Sequence, residues 1–174
     1  LVPVHHISGH IATNYLTYPE LEPPYLCLVA SGGHSHIIEV KSYTEFKVIG
    51  RTRDDAAGEC FDKCARAMGF SYPGGIHIDH ASQNGDFTAY KLPHPKVAGS
   101  EYDFSFSGLK TAVVNLVHNA EQKGTEINKN NLSASIQHTI AEILVRKTIK
   151  ASEDFGYRKI ALAGGVSANL GVRS

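Results

Sequence analysis

The sequence lacks a net charge, since 17 lysines and arginines balance 17 aspartates and glutamates among 174 residues. This balance excludes a global field that would draw the chain to nucleic acid or to an anionic membrane, so any RNA partner needs a local basic patch. The chain also lacks an apolar run of about 18 residues, and its first residues do not show the charged and then apolar pattern expected of a secretory leader. We expect a cytoplasmic protein without a membrane partner, of a length that suits one globular domain.

Cysteine is scarce as well. The spacing of Cys27, Cys60 and Cys64 fits neither a disulfide framework nor a CxxC zinc half-site, which predicts reduced and mostly buried thiols. Cys60 and Cys64 share one helix face, so a metal there is an open alternative. Soft thiolate sites usually have four ligands and a turn between pairs, which disfavours that alternative.

The pair His6 and His10 is the most specific chemical feature of the sequence. Four positions separate the two residues, so on a helix both imidazoles project from one face, where neutral ring nitrogens can share a divalent cation. Two surface histidines at the start of a helix are the alternative, because the match is short. His5 is a candidate for carrying a proton, since an unperturbed imidazole titrates near neutral pH.

Hydrophobic periodicity and turn residues predict an α/β chain. Helices are predicted over residues 5–16, 54–68, 104–118 and 131–155, and from residue 166 to the end of the chain. Strands are predicted over residues 25–30 and 35–40, which form a hairpin, and over 46–50 and 158–163. Residues 77–103 are predicted to be irregular. Residues 1–4 resemble the tail of a strand, and the end of the sequence in mid-helix favours a piece of a longer protein.

Two glycine turns predict a ligand site. Around Ser31-Gly32-Gly33 the backbone can approach a ligand closely, and successive N–H groups can donate to phosphate oxygens. Gly164-Gly165 stands between a strand and a helix, an arrangement that directs a helix N-terminus at an anion. An ordinary hairpin turn and a generic strand-to-helix loop are the alternatives. Together the turns favour a nucleotide clamped between two lobes, although neither resembles a Walker loop.

Six strings resemble a known family in order and approximate spacing: HHISGH, LVASGGHSH, DDAAGECFDK, YPGG, FSFSGLKTAV and LAGGVSAN. The family is TsaD, the tRNA threonylcarbamoyladenosine transferases, once called O-sialoglycoprotein endopeptidases of peptidase family M22. The resemblance runs from His5 to Asn169. It implies the fold of actin-like, Hsp70-like and sugar-kinase-like ATPases, here incomplete, without the first strands of the N-terminal lobe and without the C-terminal end. Residues 1–70 would then end the first lobe, and 71–174 would begin the second with a helical segment.

Carried over residue by residue, the resemblance implies one divalent metal, iron or zinc, on His6 and His10. It implies an adenine nucleotide or acyl-adenylate bound by Val29, Ala30, Ser31, Gly32, Gly33, Asp62, Gly75, Asp79 and Asn169. From the residues alone, a solvated helix position for Asp62 and a loop position for Asp79 stay open. The family's third metal ligand, an Asp in a Thr-Asp-Asn-Gly-like string, does not occur in this sequence, so we expect weak metal binding.

The reaction that the resemblance implies transfers a threonylcarbamoyl group from threonylcarbamoyl-AMP to N6 of the adenosine beside the anticodon of tRNA, and releases AMP. His6 and His10 are the catalytic candidates, through a metal that polarises the substrate. The glycine turns would hold the departing phosphate. The resemblance also implies TsaB-like and TsaE-like protein partners. We expect this part of the protein alone to be inactive.

Three other functions stay open. Metalloendopeptidases of the HExxH type have Glu after the first histidine, whereas Ile7 stands here. A carbamoyltransferase acting on another nucleophile is a second alternative, because HHISGH also resembles a His-His-x-Ala-His string. A non-catalytic nucleotide-binding scaffold is the third, although such proteins normally lose the histidine pair. A basic and aromatic RNA surface, with solvated loop lysines as its alternative, could include Tyr90, Lys91, His94, Lys96, Tyr102 and Lys110.

Overall fold

The computed structural model describes residues 5–173, so the strand tail predicted at residues 1–4 lies outside the described residues. The helices are α1 (His6–Thr17), α2 (Ala57–Ala67), α3 (Gly74–Ser82), α4 (Ser107–Lys123), α5 (Lys129–Phe155) and α6 (Leu170–Arg173). The strands are β1 (Tyr25–Ala30), β2 (Ser35–Val40), β3 (Phe46–Arg51) and β4 (Ile160–Ala163), and a 3₁₀ turn covers Gly165–Ala168. All four predicted strands are confirmed, as is the α/β class.

The strands form one sheet in the order β3-β2-β1-β4. β1 pairs antiparallel with β2 through the predicted hairpin, and β2 pairs antiparallel with β3. β1 also pairs in parallel with β4, which lies more than a hundred residues later in the chain. Every residue of β1 is buried, because helices cover both faces of this central strand.

Two cores hold the sheet. On one face, Ile11 of α1 packs among residues of β1, β2 and β4, including Val29 and Ile38. On the other face, a larger core joins β1 and β2 to α2, α4 and α5, with Phe61 and Ile140 fully buried. This sheet and the larger core run across the boundary expected near residue 70. The assignment of the two segments to two lobes stays a prediction.

The start of α2 differs from the prediction. The helix begins at Ala57, whose N–H donates to Ser35 Oγ at 2.9 Å. Asp54 instead accepts from the backbone N–H of Phe106 at 2.8 Å, at the start of α4. Burial alone would raise the pKa of Asp54, but donors from Ser105, Phe106 and Ser107 hold it below its usual value. These contacts explain why α4 begins at Ser107 and not at residue 104.

The irregular span predicted from residue 77 is wrong at its start, because α3 covers Gly74–Ser82. Asp62 Oδ1 accepts from the Gly74 N–H group at 2.7 Å and satisfies the first turn from another helix. The single helix predicted from residue 166 is also wrong. Asn169 is extended there and separates the 3₁₀ turn from α6.

The three cysteines are buried and free, as predicted. Cys60 Sγ and Cys64 Sγ lie 4.0 Å apart on the inner face of α2. Burial raises the pKa of Cys27 to about 12, so that thiol stays protonated at neutral pH. Between residues 5 and 173, no helix is long and apolar enough to cross a bilayer.

Candidate functional site

The first glycine turn is a closed bend that connects β1 to β2. Ser31 N–H donates to the His34 carbonyl oxygen at 2.7 Å, and His34 N–H donates to Ser31 Oγ at 3.1 Å. The N–H group of Gly58 in α2 donates to the Ser31 carbonyl oxygen at 3.2 Å. A Cβ atom at Gly58 would lie 2.7 Å from Gly32 Cα, so only glycine lets α2 approach the bend this closely.

The second glycine turn follows β4. Gly164 has a φ of 90°, which favours glycine, and a Cβ atom there would lie 2.3 Å from the Ala30 carbonyl oxygen. Because β1 and β4 are parallel neighbours, both bends leave the sheet at the same edge, beyond the carboxyl ends of the two strands. In open α/β sheets this edge is where ligands bind.

A cavity of about 310 Å³ opens at this edge. Its lining combines the two bends with the facing sides of α2 and α3: Gly32, Gly58, Phe61, Asp62, Tyr72, Pro73, Gly75, Ile76, Asp79, Gly165, Val166, Ala168 and Asn169. The predicted ligand residues Gly32, Asp62, Gly75, Asp79 and Asn169 therefore meet at one cavity. Its volume is in the range of small-molecule sites.

Four of the predicted ligand residues are not part of that lining. Val29 and Ala30 are buried inside β1, where their side chains belong to the cores on opposite faces of the sheet. Ser31 supplies hydrogen bonds that shape the bend, and Gly33 is exposed at its tip. These residues position the wall of the cavity and do not line it.

Polar side chains fasten the cavity wall. Asp62 holds the start of α3, and Asp79 Oδ1 accepts from the Leu170 N–H group at 3.2 Å, which ties α3 to α6. Asn169 Nδ2 donates to Gln137 Oε1 of α5 at 2.8 Å. The wall is therefore set by contacts among residues far apart in the sequence.

The predicted histidine pair lies on α1, beside the first bend. His6 Nε2 and His10 Nε2 are 3.0 Å apart, so the two ring nitrogens converge. Burial, together with His6 and His34, lowers the pKa of His10, which keeps that imidazole neutral at neutral pH. Converging ring nitrogens fit two positions of a divalent-metal shell.

The shell is incomplete in the described residues. Within 5–173, no three or more His, Cys, Asp or Glu side chains are grouped so that they could hold a metal. The His34 ring lies 5.6 Å from the His6 ring, measured between centroids. Gly32 of the bend lines the cavity, and His34 at the end of the bend lies beside His6. Both predicted sites therefore contact the same loop.

Sequence reasoning missed several residues of the site. Gly58, Tyr72 and Ile76 line the cavity from helices whose approach depends on long-range packing. Gln137 gave no signal, because its role comes from its contact with Asn169. His34 was visible in the string SGGHSH, where it directly follows the bend.

A larger cavity, of about 990 Å³, lies among the ends of α2 and α4 and the start of α5. Arg66, Glu121 and Lys129 are among its lining residues. It contains none of the predicted site residues.

The basic and aromatic surface considered from the sequence is neutralised in part. Lys110 Nζ lies 2.9 Å from Asp55 Oδ2, and His94 Nε2 lies 2.7 Å from Glu142 Oε2. The hydroxyl group of Tyr102 donates to Asp154. Lys110, His94 and Tyr102 are thus engaged by carboxylates, whereas Lys91 and Lys96 are exposed.

Comparison with known proteins decides the family. The family model of TsaD, tRNA N6-adenosine threonylcarbamoyltransferase, matches residues 1–174. The chain belongs to the TsaD family. A curated relative of that name from Caldicellulosiruptor bescii is 53% identical over 99% of this chain and 51% of its own length. One from Geobacillus thermodenitrificans is 50% identical over 100% of this chain and 50% of its own. The TsaD chain described here thus spans about half the length of the curated relatives it matches.

Solved structures share the fold. HypF, in a phosphate- and nucleotide-bound form, matches 97% of this chain and 36% of its own with a TM-score of 0.70 and 14% identity. Component A of (R)-2-hydroxyglutaryl-CoA dehydratase from Acidaminococcus fermentans matches 96% of this chain and 55% of its own, with a TM-score of 0.55 and 19% identity. These likenesses confirm the predicted actin-like, Hsp70-like and sugar-kinase-like ATPase fold.

Proposed function

We propose that the complete protein transfers a threonylcarbamoyl group from threonylcarbamoyl-AMP to N6 of the adenosine beside the anticodon of tRNA. Membership of the TsaD family supports the reaction class. The observation that carries the proposal for this chain is the meeting of Gly32, Asp62, Gly75, Asp79 and Asn169 at one cavity. The imidazole pair beside the same bend supports it further.

The cavity suits an adenylate. Within the described chain, the N–H groups of Gly32 and Gly33 donate to no backbone acceptor, so both are available to a phosphate. The carboxylates of Asp62 and Asp79 are suited to accept hydrogen bonds from ribose hydroxyl groups. Donors fixed at the bend would stabilise the charge that develops on the departing AMP phosphate.

His6 and His10 would hold the divalent metal, iron or zinc, with a third protein ligand outside this chain. Such a cation supplies Lewis acidity toward a carbonyl or phosphoryl oxygen. The role of the two histidines is to present ring nitrogens at a fixed spacing, which their turn of α1 provides. The bend then keeps the acyl group and the leaving phosphate close to each other.

The family also supports the wider setting of the proposal. The name of the curated relatives makes tRNA the substrate, and we extend that substrate to this protein. TsaB-like and TsaE-like partners and a cytoplasmic location are part of the same proposal, and rest on the resemblance alone.

Peptide hydrolysis is disfavoured by the position after His6. Ile7 is partly buried and packs against the core between α1 and the sheet. An aliphatic side chain cannot take a proton from water, and no carboxylate replaces it at this position. The geometry therefore gives no support to the older endopeptidase classification.

The test measures transfer of radiolabelled threonylcarbamoyl to tRNA by the complete protein with its partners. His6→Ala and His10→Ala should each lower the rate more than about 100-fold, since even outer-shell partners of a metal are worth about 10- to 100-fold. Bound metal, measured by mass spectrometry, should fall with the rate. His118 is an exposed histidine on α4, so His118→Ala is the matched control. This variant should keep both the transfer rate and the bound metal.

Full transfer by both variants would refute the role of the pair. Adenylate binding without transfer by the unaltered complete protein would favour the scaffold alternative. Transfer to a nucleophile other than tRNA would favour the carbamoyltransferase alternative.

A further inference from the structure

A row of basic side chains continues from the imidazole pair along the sheet. It comprises His34, His36, Arg51 and Arg53, and is called here the basic strip. The rings of His6 and His34 lie 5.6 Å apart, as do the rings of His34 and His36. His36 pairs with Arg51 across β2 and β3, and Arg53 follows two residues later.

The strip lies on the α1 side of the sheet. His36 is two positions from Ile38 on β2, and Ile38 belongs to the core beneath α1, so alternation along the strand puts His36 on that face. His36, Arg51 and Arg53 line a cavity of about 410 Å³, and the carboxylate of Asp103 also contributes to its wall. The cavity of about 310 Å³ proposed above to bind the adenylate is called here the adenylate cavity. The two cavities are separate and share no lining residue.

The charges in the strip are not balanced. Asp103 accepts from the Arg51 backbone N–H group at 2.9 Å and forms an ion pair with the Arg53 side chain. The Arg51 guanidinium group makes no ion pair or hydrogen bond with any residue from 5 to 173, and it is exposed. One full positive charge is therefore uncompensated.

His36 adds an unsatisfied polar atom. Its Nδ1 is buried and has no hydrogen-bond partner in the described part of the chain. A buried polar atom without a partner destabilises the protein, and a bound ligand would relieve this. A free guanidinium group and an imidazole nitrogen at one cavity together select an oxyanion.

We propose that the basic strip binds backbone phosphates of the RNA that flank the target adenosine. This inference rests on the proposed function, because that function places the target base beside His6 and His10. The strip begins at His34, next to that pair, and extends away from it along the sheet. An RNA backbone that continues from the target adenosine could follow the same path. The strip also supplies the local basic patch that a chain without net charge needs in order to bind RNA.

Arg51→Gln in the complete protein tests the proposal. The side chain has no partner among residues 5–173, so its replacement should leave the unfolding midpoint unchanged. Binding of an anticodon stem-loop, followed by fluorescence anisotropy, should weaken about three- to tenfold at low salt. The slope of log affinity against log salt concentration should fall by about 1. His36→Asn should weaken binding without the change in slope.

Lys47→Gln is the matched control, because it removes the same charge from the same strand. Across β2 and β3, Lys47 pairs with Glu39 and Arg51 pairs with His36. Glu39 and His36 are three positions apart on β2, so they lie on opposite faces of the sheet. Lys47 is therefore on the face opposite to Arg51. Affinity and slope should stay as in the unaltered protein. In transfer assays, Arg51→Gln should raise KM for tRNA and leave kcat and adenylate binding unchanged.

Equal affinity and equal slope for Arg51→Gln and Lys47→Gln would overturn the proposal. So would a loss of inorganic phosphate binding in Arg51→Gln with RNA binding intact, since this would indicate a small-anion site. Failure of the proposed function would give a different result, in which the unaltered protein binds the stem-loop but transfers no acyl group. In that case the salt slope of Arg51→Gln would still show whether the basic strip contacts RNA phosphates.

Discussion

Gly58 is the position at which a single methyl group should disturb the adenylate cavity most directly. A Cβ atom there would lie 2.7 Å from both Gly32 Cα and the Ser31 carbonyl oxygen, both of them backbone atoms of the bend. Ordinary contacts begin at 3.4 Å, so in Gly58→Ala the bend or α2 must move by about 0.7 Å. Overpacking of this kind costs about 1–3 kcal/mol of unfolding free energy.

The larger effect of Gly58→Ala is expected on function. A displacement of about 1 Å at a reacting group can lower a rate about 100-fold, and the bend contributes both to the cavity and to the loop beside His6. We therefore expect adenylate affinity, measured by calorimetry, and acyl transfer to fall together. Gly9→Ala, on α1, is the control, because a Cβ atom at Gly9 has no neighbour within 4 Å. Equal affinity in both variants would refute the argument that Gly58 fixes the bend.

Two further predictions concern stability of the complete protein. Asp54→Asn should lower the unfolding free energy by about 0.5–2 kcal/mol, as for a lost helix cap. Burial alone would raise the pKa of Asp54, but its donors lower it below 3.8, so its stabilisation is full above about pH 5 and is lost as pH falls through the folded value. Urea midpoints between pH 7 and 3 should therefore decline less in Asp54→Asn, and parallel declines would contradict this. Ile140→Ala should cost about 2–5 kcal/mol while adenylate affinity is kept; a loss of affinity would show that the core controls the site.

The strands and the hairpin could be predicted from the sequence because their signals are local. Apolar residues in β1 and β2 flank a glycine bend, and this pattern is independent of distant contacts. The histidine pair was predictable for the same reason, since an i, i+4 spacing fixes a common helix face.

The helix boundaries were less predictable because distant residues determine them. Asp54 precedes one helix in the sequence but caps another, 52 residues later. Asp62 likewise satisfies the first N–H group of α3, so a glycine-rich stretch that reads as a loop becomes helical. A prediction from local sequence assigns both carboxylates to α2, whereas they hold the starts of α4 and α3. Such a prediction therefore misses α3.

The candidate site shows the same division. Glycine turns and carboxylates were identifiable by residue type, whereas their meeting at one cavity depends on the parallel pairing of β1 with β4. The basic strip was missed because its members come from separate segments, and the pairing of β2 with β3 is what brings His36 beside Arg51. Of the residues first considered for RNA, His94, Tyr102 and Lys110 are instead engaged by acidic residues.

The bend from Ser31 to His34 is the structural element on which both predicted sites depend. Gly32 lines the adenylate cavity, while the ring of His34 lies beside His6, so a displacement at one end of this four-residue turn reaches the other. Its two internal hydrogen bonds, between Ser31 and His34, make the turn rigid enough to transmit such a displacement. A ligand phosphate bound at Gly32 and Gly33 would therefore order the loop next to the imidazole pair. If both proposed sites are occupied, leaving-group binding and metal-site geometry would be coupled by one short segment of backbone.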